Sequence, residues 1–208
     1  MRMWSRLVLF VLAVTLGGAA NAADPENTVY MDLAFGRVVI TLRPDLAPAT
    51  CTQIKALVRR GFYDGVVFHR VIDGFMAQTG DPTGTGTGGS GHKLRAEFSQ
   101  EKHVRGVVSM ARSSDPNSAD SQFFIVFAPA SALDGKYTIF GQVESGMEYV
   151  DKVKKGDPAN NGRVGNPDKI IKMQVAADAI ANEKKAAAPK PPEKEPEQRV
   201  TPHGIVPK

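Results

Sequence analysis

From residue 28 onward, apolar and polar positions alternate with a period of two, the pattern of strands that bury one face. Segments 29–33, 38–42, 66–71, 75–79, 95–98, 106–111, 122–127, 138–143 and 169–175 carry it and are expected to be strands. Phe35 and Gly36 make a tight turn between the first two, which marks an antiparallel hairpin. Only two stretches repeat with the helical period. One covers about 48–60, with Pro48 at its opening turn and Gly61 just past its end. The other covers about 146–155, where Met147, Val150 and Val153 share a face and Gly156 ends the run. Two helices among eight or nine short strands predict a barrel or sandwich with helices over its openings.

The first 26 residues do not follow this pattern. Arg2 and Arg6 precede an apolar run from Leu7 to Leu16, and Ala20-Asn21-Ala22 has the form of a signal-peptidase site. Residues 1–22 are therefore expected to be a signal peptide cleaved after Ala22, which places the mature chain in the periplasm. The apolar run falls short of the roughly 20 residues that a membrane-spanning helix needs. A domain over 23–178 is followed by a tail over 179–208, and from Asn182 the sequence holds six prolines with almost no large apolar residue before Val200. Such a tail cannot bury enough surface to offset the entropy of ordering and is expected to stay solvated.

Composition narrows the chemistry. The chain has 208 residues, 42% of them apolar, with 20 Gly, 14 Pro and a formal charge of +4. Arg2 and Arg6 supply two of those charges, so the mature domain has no electrostatic case for nucleic acid or a membrane as partner. Cys51, the only cysteine, lies on the apolar stripe of the first helix with Ile54 and Val58 and reads as a buried, inert thiol. The four histidines have no i, i+4 spacing and no carboxylate triad beside them, so no metal is expected.

Two motifs come close to known chemistry and fail. In GTGTGGSG, residues 84–91, Gly84, Gly86 and Gly89 match the G-x-G-x-x-G spacing of a pyrophosphate turn, but no helix pattern follows to face a phosphate. The run is therefore a long loop between strands. Ser90 is followed by Gly91 and His92, so a nucleophile elbow, which needs Gly two residues after Ser, is also missing.

What remains is FHRVIDGFMAQTGD, residues 68–81. As two strands joined near Asp73-Gly74, it brings a permanently charged donor, Arg70, near the apolar pair Phe75 and Met76, with Gln78 on the same face as Met76. SQFFIVF, residues 121–127, adds a polar residue beside aromatics. Composition and spacing alone favour the plainer reading, with Phe75, Phe123 and Phe124 as core and Arg70 as a solvated edge charge.

FHRVIDGFMAQTGD, GTGTGG, SMARSSDPNSADSQFFIVF and ALDGKYTIFGQV, in this order, resemble the cyclophilin-type peptidyl-prolyl cis-trans isomerases, especially exported bacterial ones, over about 28–175. The resemblance implies a closed eight-stranded antiparallel β-barrel capped by two α-helices. It also implies an isomerase of X-Pro bonds without cofactor, acting as a monomer on proline-containing polypeptides. It makes Arg70 the catalytic residue and Phe75, Met76, Phe124 and Leu133 the walls of a proline pocket. Gln78 and Gln122 would hold substrate and arginine, Ala111 and Arg112 would pair with the peptide backbone, and Tyr137 stands where many relatives have His. Gly86 belongs to a loop beside the peptide groove, where a side chain is expected to narrow access. Three departures stand out: Arg112 for a frequent Asn, Ala132 where many eukaryotic relatives have Trp, and a longer loop over 112–121.

Overall fold

A computed structural model describes residues 24–187; the candidate signal peptide and the chain beyond residue 187 lie outside the described residues. Eight antiparallel strands form one sheet: β1 (Thr28–Leu33), β2 (Gly36–Leu42), β3 (Arg70–Ile72), β4 (Met76–Thr79), β5 (Val107–Met110), β6 (Phe123–Val126), β7 (Ile139–Ser145) and β8 (Lys172–Val175). Their spatial order is β3-β4-β6-β5-β7-β2-β1-β8. Three helices accompany them: α1 (Pro48–Arg59), α2 (Met147–Asp151) and α3 (Ala176–Ala187).

The period-two pattern has its expected meaning. Val71, Ala77, Val108, Met110, Phe123 and Ile125 point into a core shared with Val29, Met31, Val38 and Ile40. α1 seals that core with Ile54, Leu57 and Val58, and Cys51 is buried with them. Burial pushes the Cys51 thiol up to about 11, and its Sγ donates to the Phe140 carbonyl at 3.4 Å, so it is unreactive at neutral pH. The neighbouring positions Met76, Val107, Phe124, Val126 and Ile139 face the other way and build a second, smaller apolar cluster with Phe75, Leu133 and Tyr137. The sheet therefore has two buried faces, and the second lies outside the curl.

The closed barrel expected from the sequence is an open, curled sheet, because the end strands β3 and β8 do not pair as strands. Their flanking segments bridge the seam instead: Phe68 N donates to Asp168 O at 2.9 Å and Ile170 N to Val66 O at 2.9 Å. Segment 95–98 is not a strand either. Its N–H groups go to side chains, Ala96 N to Asn117 Oδ1 and Glu97 N to Thr138 Oγ1. The Glu97 carboxylate in turn accepts from Ala49 N, Thr50 N and Thr50 Oγ1, each within 2.9 Å, and so caps α1, whose own N-cap residue Ala47 has no side-chain acceptor.

Two boundaries also differ from expectation. The β1–β2 turn is Ala34-Phe35, with Gly36 already paired to Leu33. α3 runs across the 178/179 boundary, because its Ala, Glu and Lys residues favour a helix. Ala176 and Ala179 bury one face, and Arg59 holds Asp178 at 2.9 Å.

Candidate active site

The strand register builds the site as a row across the outer face of the sheet. Arg70 lies opposite Gln78, Gln78 opposite Phe124, and Phe124 opposite Ser109, so residues from four strands align across the ladder. Met76 stands one strand step from Gln78, beside Val126. Turns then bring in Phe75, Leu133 and Tyr137, closing a cavity of about 180 Å³ lined by Arg70, Phe75, Met76, Gln78, Ala111, Arg112, Phe124, Leu133 and Tyr137. Nine of the eleven candidate residues thus meet in one place. The other two, Gln122 and Gly86, line an adjoining cavity of about 390 Å³ that shares Gln78, Ala111 and Arg112 with the first.

The walls are fixed by packing. Phe124 meets Tyr137 edge to face at 5.9 Å and stacks against the His103 ring at 6.3 Å. His103, only 1% exposed, lies between Asp134 Oδ1 and Ser109 Oγ, 3.1 Å from each. Burial pushes its pKa down, against Asp134, which pulls it up. Arg112 spreads over Tyr137 at 4.5 Å and donates to the carbonyls of Lys136 and Ser113, tying the 112–118 loop to the turn that carries Leu133. That loop closes on itself through Ser113 Oγ and Ser118 Oγ at 2.7 Å.

Arg70 is half-buried, and burial pushes its guanidinium below its ordinary value, with Tyr137 acting in the opposite sense. It remains a cation at neutral pH. Nη1 donates to Gln78 Oε1 at 3.1 Å. On the other side Nε donates to Asn161 O and Nη2 to Asn161 Oδ1, both at 3.0 Å. Among the described residues no carboxylate pairs with it.

From Gln78 the bonds continue into the glycine loop. Gln78 Nε2 donates to Gln122 Oε1 at 2.9 Å, and Gln122 Nε2 donates to Gly86 O at 3.1 Å and Gly88 O at 2.8 Å. The N–H groups of the same two glycines donate to Asp81 Oδ2 at 2.6 and 3.1 Å. Asp81 is 0% exposed, and its other oxygen accepts from Thr83 N and Thr83 Oγ1. Burial alone would raise its pKa, but the bonds from Thr83, Gly88 and Gly86 outweigh that and hold it at about 2. The glycines are there for backbone shape: Gly86 has φ +92°, and a Cβ on it would meet the His69 ring at 3.6 Å. A side chain at 86 would start in ordinary contact with His69 and would strain the loop, because its φ is one that L residues rarely adopt.

Asn161 and Asp81 lie outside the set drawn from sequence. Asp81 could have been suspected from its place before a glycine run, where its carboxylate can gather N–H groups. Asn161 is 91 positions from Arg70 in an unpatterned Asn-Asn-Gly stretch and gives no such signal. Among the described residues no group of three His, Cys, Asp or Glu is placed to hold a metal ion, and no helix is long and apolar enough to cross a membrane.

Residues 28–175 match the family described as cyclophilin type peptidyl-prolyl cis-trans isomerase/CLD. The chain belongs to the cyclophilins. A probable peptidyl-prolyl cis-trans isomerase of Brucella suis is 56% identical over 181 residues, 80% of this chain and 92% of that protein. A peptidyl-prolyl cis-trans isomerase-like 1 protein of Emericella nidulans is 44% identical over 152 residues, 71% of this chain and 93% of the relative. Among solved structures, a cyclophilin from Hirschia baltica aligns with TM-score 0.67 at 28% identity, covering 75% of this chain and 76% of that one. A cyclophilin-type isomerase of Cryptosporidium parvum, determined in the presence of the dipeptide Ala-Pro, aligns with TM-score 0.65 at 32% identity over 71% of this chain and 98% of that one. This cyclophilin is thus a peptidyl-prolyl cis-trans isomerase by family, and the row centred on Arg70 lies within the matched residues.

Proposed function

We propose that this cyclophilin accelerates X-Pro rotation in exported polypeptides by donating a hydrogen bond from Arg70 to the proline nitrogen. The observation that carries this reading is a buried-edge cation, held from two sides, in an apolar-walled cavity of about 180 Å³. The Ala-Pro dipeptide present with the Cryptosporidium relative supports a proline ligand, and Arg2, the apolar run and Ala20-Asn21-Ala22 support export.

Rotation about an X-Pro bond must break amide resonance, over a barrier of roughly 18–20 kcal/mol, and takes tens to hundreds of seconds unaided. No covalent bond breaks, so the protein must favour the twisted amide over both planar forms. In the planar amide the nitrogen lone pair is delocalised and a poor acceptor; in the twisted amide it is localised. A guanidinium held beside the ring nitrogen therefore binds the twisted form better than either ground state. One charge-assisted hydrogen bond contributes about 1.5–3 kcal/mol, and each decade of rate needs about 1.4, so Arg70 supplies one to two decades. The apolar walls Phe75, Met76, Phe124 and Leu133 supply a second term, since the twisted amide is less dipolar and loses less on leaving water. They hold the proline ring while the preceding carbonyl turns.

Arg70→Ala is expected to lower turnover on a proline peptide at least tenfold, read by exchange NMR, while peptide affinity falls less. Unchanged exchange rates in a folded variant would overturn the assignment and leave a proline-binding module. Export is read by mass spectrometry of the processed chain, whose first residue is expected to be Ala23; an intact N-terminus in the exporting cell would overturn it.

A further inference from the structure

We infer that Asn161 is a positioning residue for the isomerase reaction: it fixes the plane of the Arg70 guanidinium and so sets which N–H groups are left for the substrate. This rests on reading Arg70 as the donor to the proline nitrogen. A guanidinium has five N–H donors in one plane. Four contacts engage them here: Nε–H with Asn161 O, one Nη2–H with Asn161 Oδ1, one Nη1–H with Gln78 Oε1, and Nη1 again with the Met76 sulfur at 3.8 Å. One N–H on Nη2 remains, and on Nη1 one that meets only the weakly accepting Met76 sulfur. The Nε/Nη2 edge thus meets both oxygens of a single residue, a fork that resists rotation about the bond from Cδ to Nε. Gln78 alone, at one Nη1–H, would leave that rotation open.

Asn161 can do this because the loop around it is built tightly. Its φ of 51° is left-handed, a conformation that Asn tolerates better than most residues. The loop closes on itself through Gly162 N to Asp157 O at 2.8 Å and Asp157 N to Arg163 O at 3.0 Å. It is then fastened to β3 on both sides of Arg70. Val71 N donates to Gly162 O at 2.8 Å, Gly156 N to Val71 O at 2.9 Å and Val164 N to His69 O at 3.0 Å. Three backbone bonds at residues 69 and 71 thus set the place of Asn161 relative to residue 70. A Cβ on Gly162 would collide with the Ile72 side chain and the Val71 backbone, so the loop approaches the strand as closely as backbone can.

The perturbation is Asn161→Gly, which keeps the left-handed backbone and the carbonyl bonded to Nε but removes Oδ1. With one arm of the fork gone, the guanidinium spends less time in the donating orientation, while the apolar walls still bind the proline. The expected result is a fall in kcat of about five- to tenfold with KM within about twofold of wild type. Arg70 Nη signals are expected to be separate in wild type, where the bonds from Nη2 to Asn161 Oδ1 and from Nη1 to Gln78 also oppose rotation about Nε–Cζ, and should coalesce in the variant. Asn161→Asp, which retains an acceptor at the same reach, should recover most of the lost kcat and the separate signals. In an Arg70→Ala background Asn161→Gly should cause no further loss.

Wild-type kcat in Asn161→Gly, or an equal loss on both backgrounds, would overturn the positioning role. So would an Asn161→Asp variant as impaired as Asn161→Gly, which also decides the question should the glycine variant fold poorly. Full activity in Arg70→Ala alone would instead sink the arginine-centred reading, so the two failures are distinguishable.

Discussion

Asp81→Asn separates two things that the carboxylate of Asp81 does. The group is fully enclosed and held at about 2, against an ordinary value of 3.8, by Thr83, Gly88 and Gly86 donors that outweigh its burial. A depression of nearly two units corresponds to about 2–3 kcal/mol of folding stability at neutral pH. Asparagine retains the shape, but its NH2 must face donors on one side, either Thr83 N and Oγ1 or the N–H groups of Gly86 and Gly88. The variant should therefore lose about 2 kcal/mol at pH 7, or roughly 4–8 °C in Tm for a domain of this size. The sign of the pH dependence follows from a depressed acid. The contribution is complete above the unfolded-state pKa of about 3.9 and is lost as pH falls towards 2, so the gap between wild type and variant should shrink by about half by pH 3. Urea unfolding at pH 7, 5 and 3 reads this directly. A gap under 0.5 kcal/mol at pH 7, or one that stays constant down to pH 3, would refute the reasoning. Activity should fall several-fold as well, since Gly86 O and Gly88 O position Gln122.

Phe75→Ala removes an apolar wall and should weaken peptide binding and turnover together, by about tenfold or more; unaltered peptide affinity by titration would count against Phe75 as a wall. Gly86→Val forces a β-branched residue to φ +92° and should destabilise by about 1–2 kcal/mol while altering peptide preference through a displaced loop. Wild-type stability and activity across a peptide panel would reduce the loop to a connection.

The strands were legible because a half-buried strand has to alternate, and 75–79 puts Met76 and Gln78 on one face. With the turn near Asp73-Gly74, that is enough to place Arg70 and Gln78 together, and the observed register does so. Everything that holds Arg70 from its far side was illegible, because Asn161 acts through an oxygen fork in a loop with no period. Segment 95–98 misled for a related reason. Its alternation is real, but its N–H groups meet Asn117 and Thr138 side chains, so no ladder forms. Closure of the sheet was equally hidden. Segment 66–68 has the composition of a strand and does meet 168–170, yet only across the seam, between the strands at either end of the order.

That seam explains why the arginine needs so much support. β3 has three residues and one partner strand, β4, so its outer edge would otherwise present unpaired N–H and C=O groups. Residues 156–164 cover that edge, taking both Val71 N and Val71 O, and the same stretch supplies the two oxygens that meet Arg70. Protection of an edge strand and orientation of the guanidinium are therefore one piece of structure. It follows that substitutions which loosen residues 156–163 should lower activity before they lower global stability, since of the 156–164 loop only Val164 joins the main core around Val71, Ala77 and Ile125. Substitutions at Asp81 should lower both, because its bonds join a fully buried carboxylate to the loop that positions Gln122.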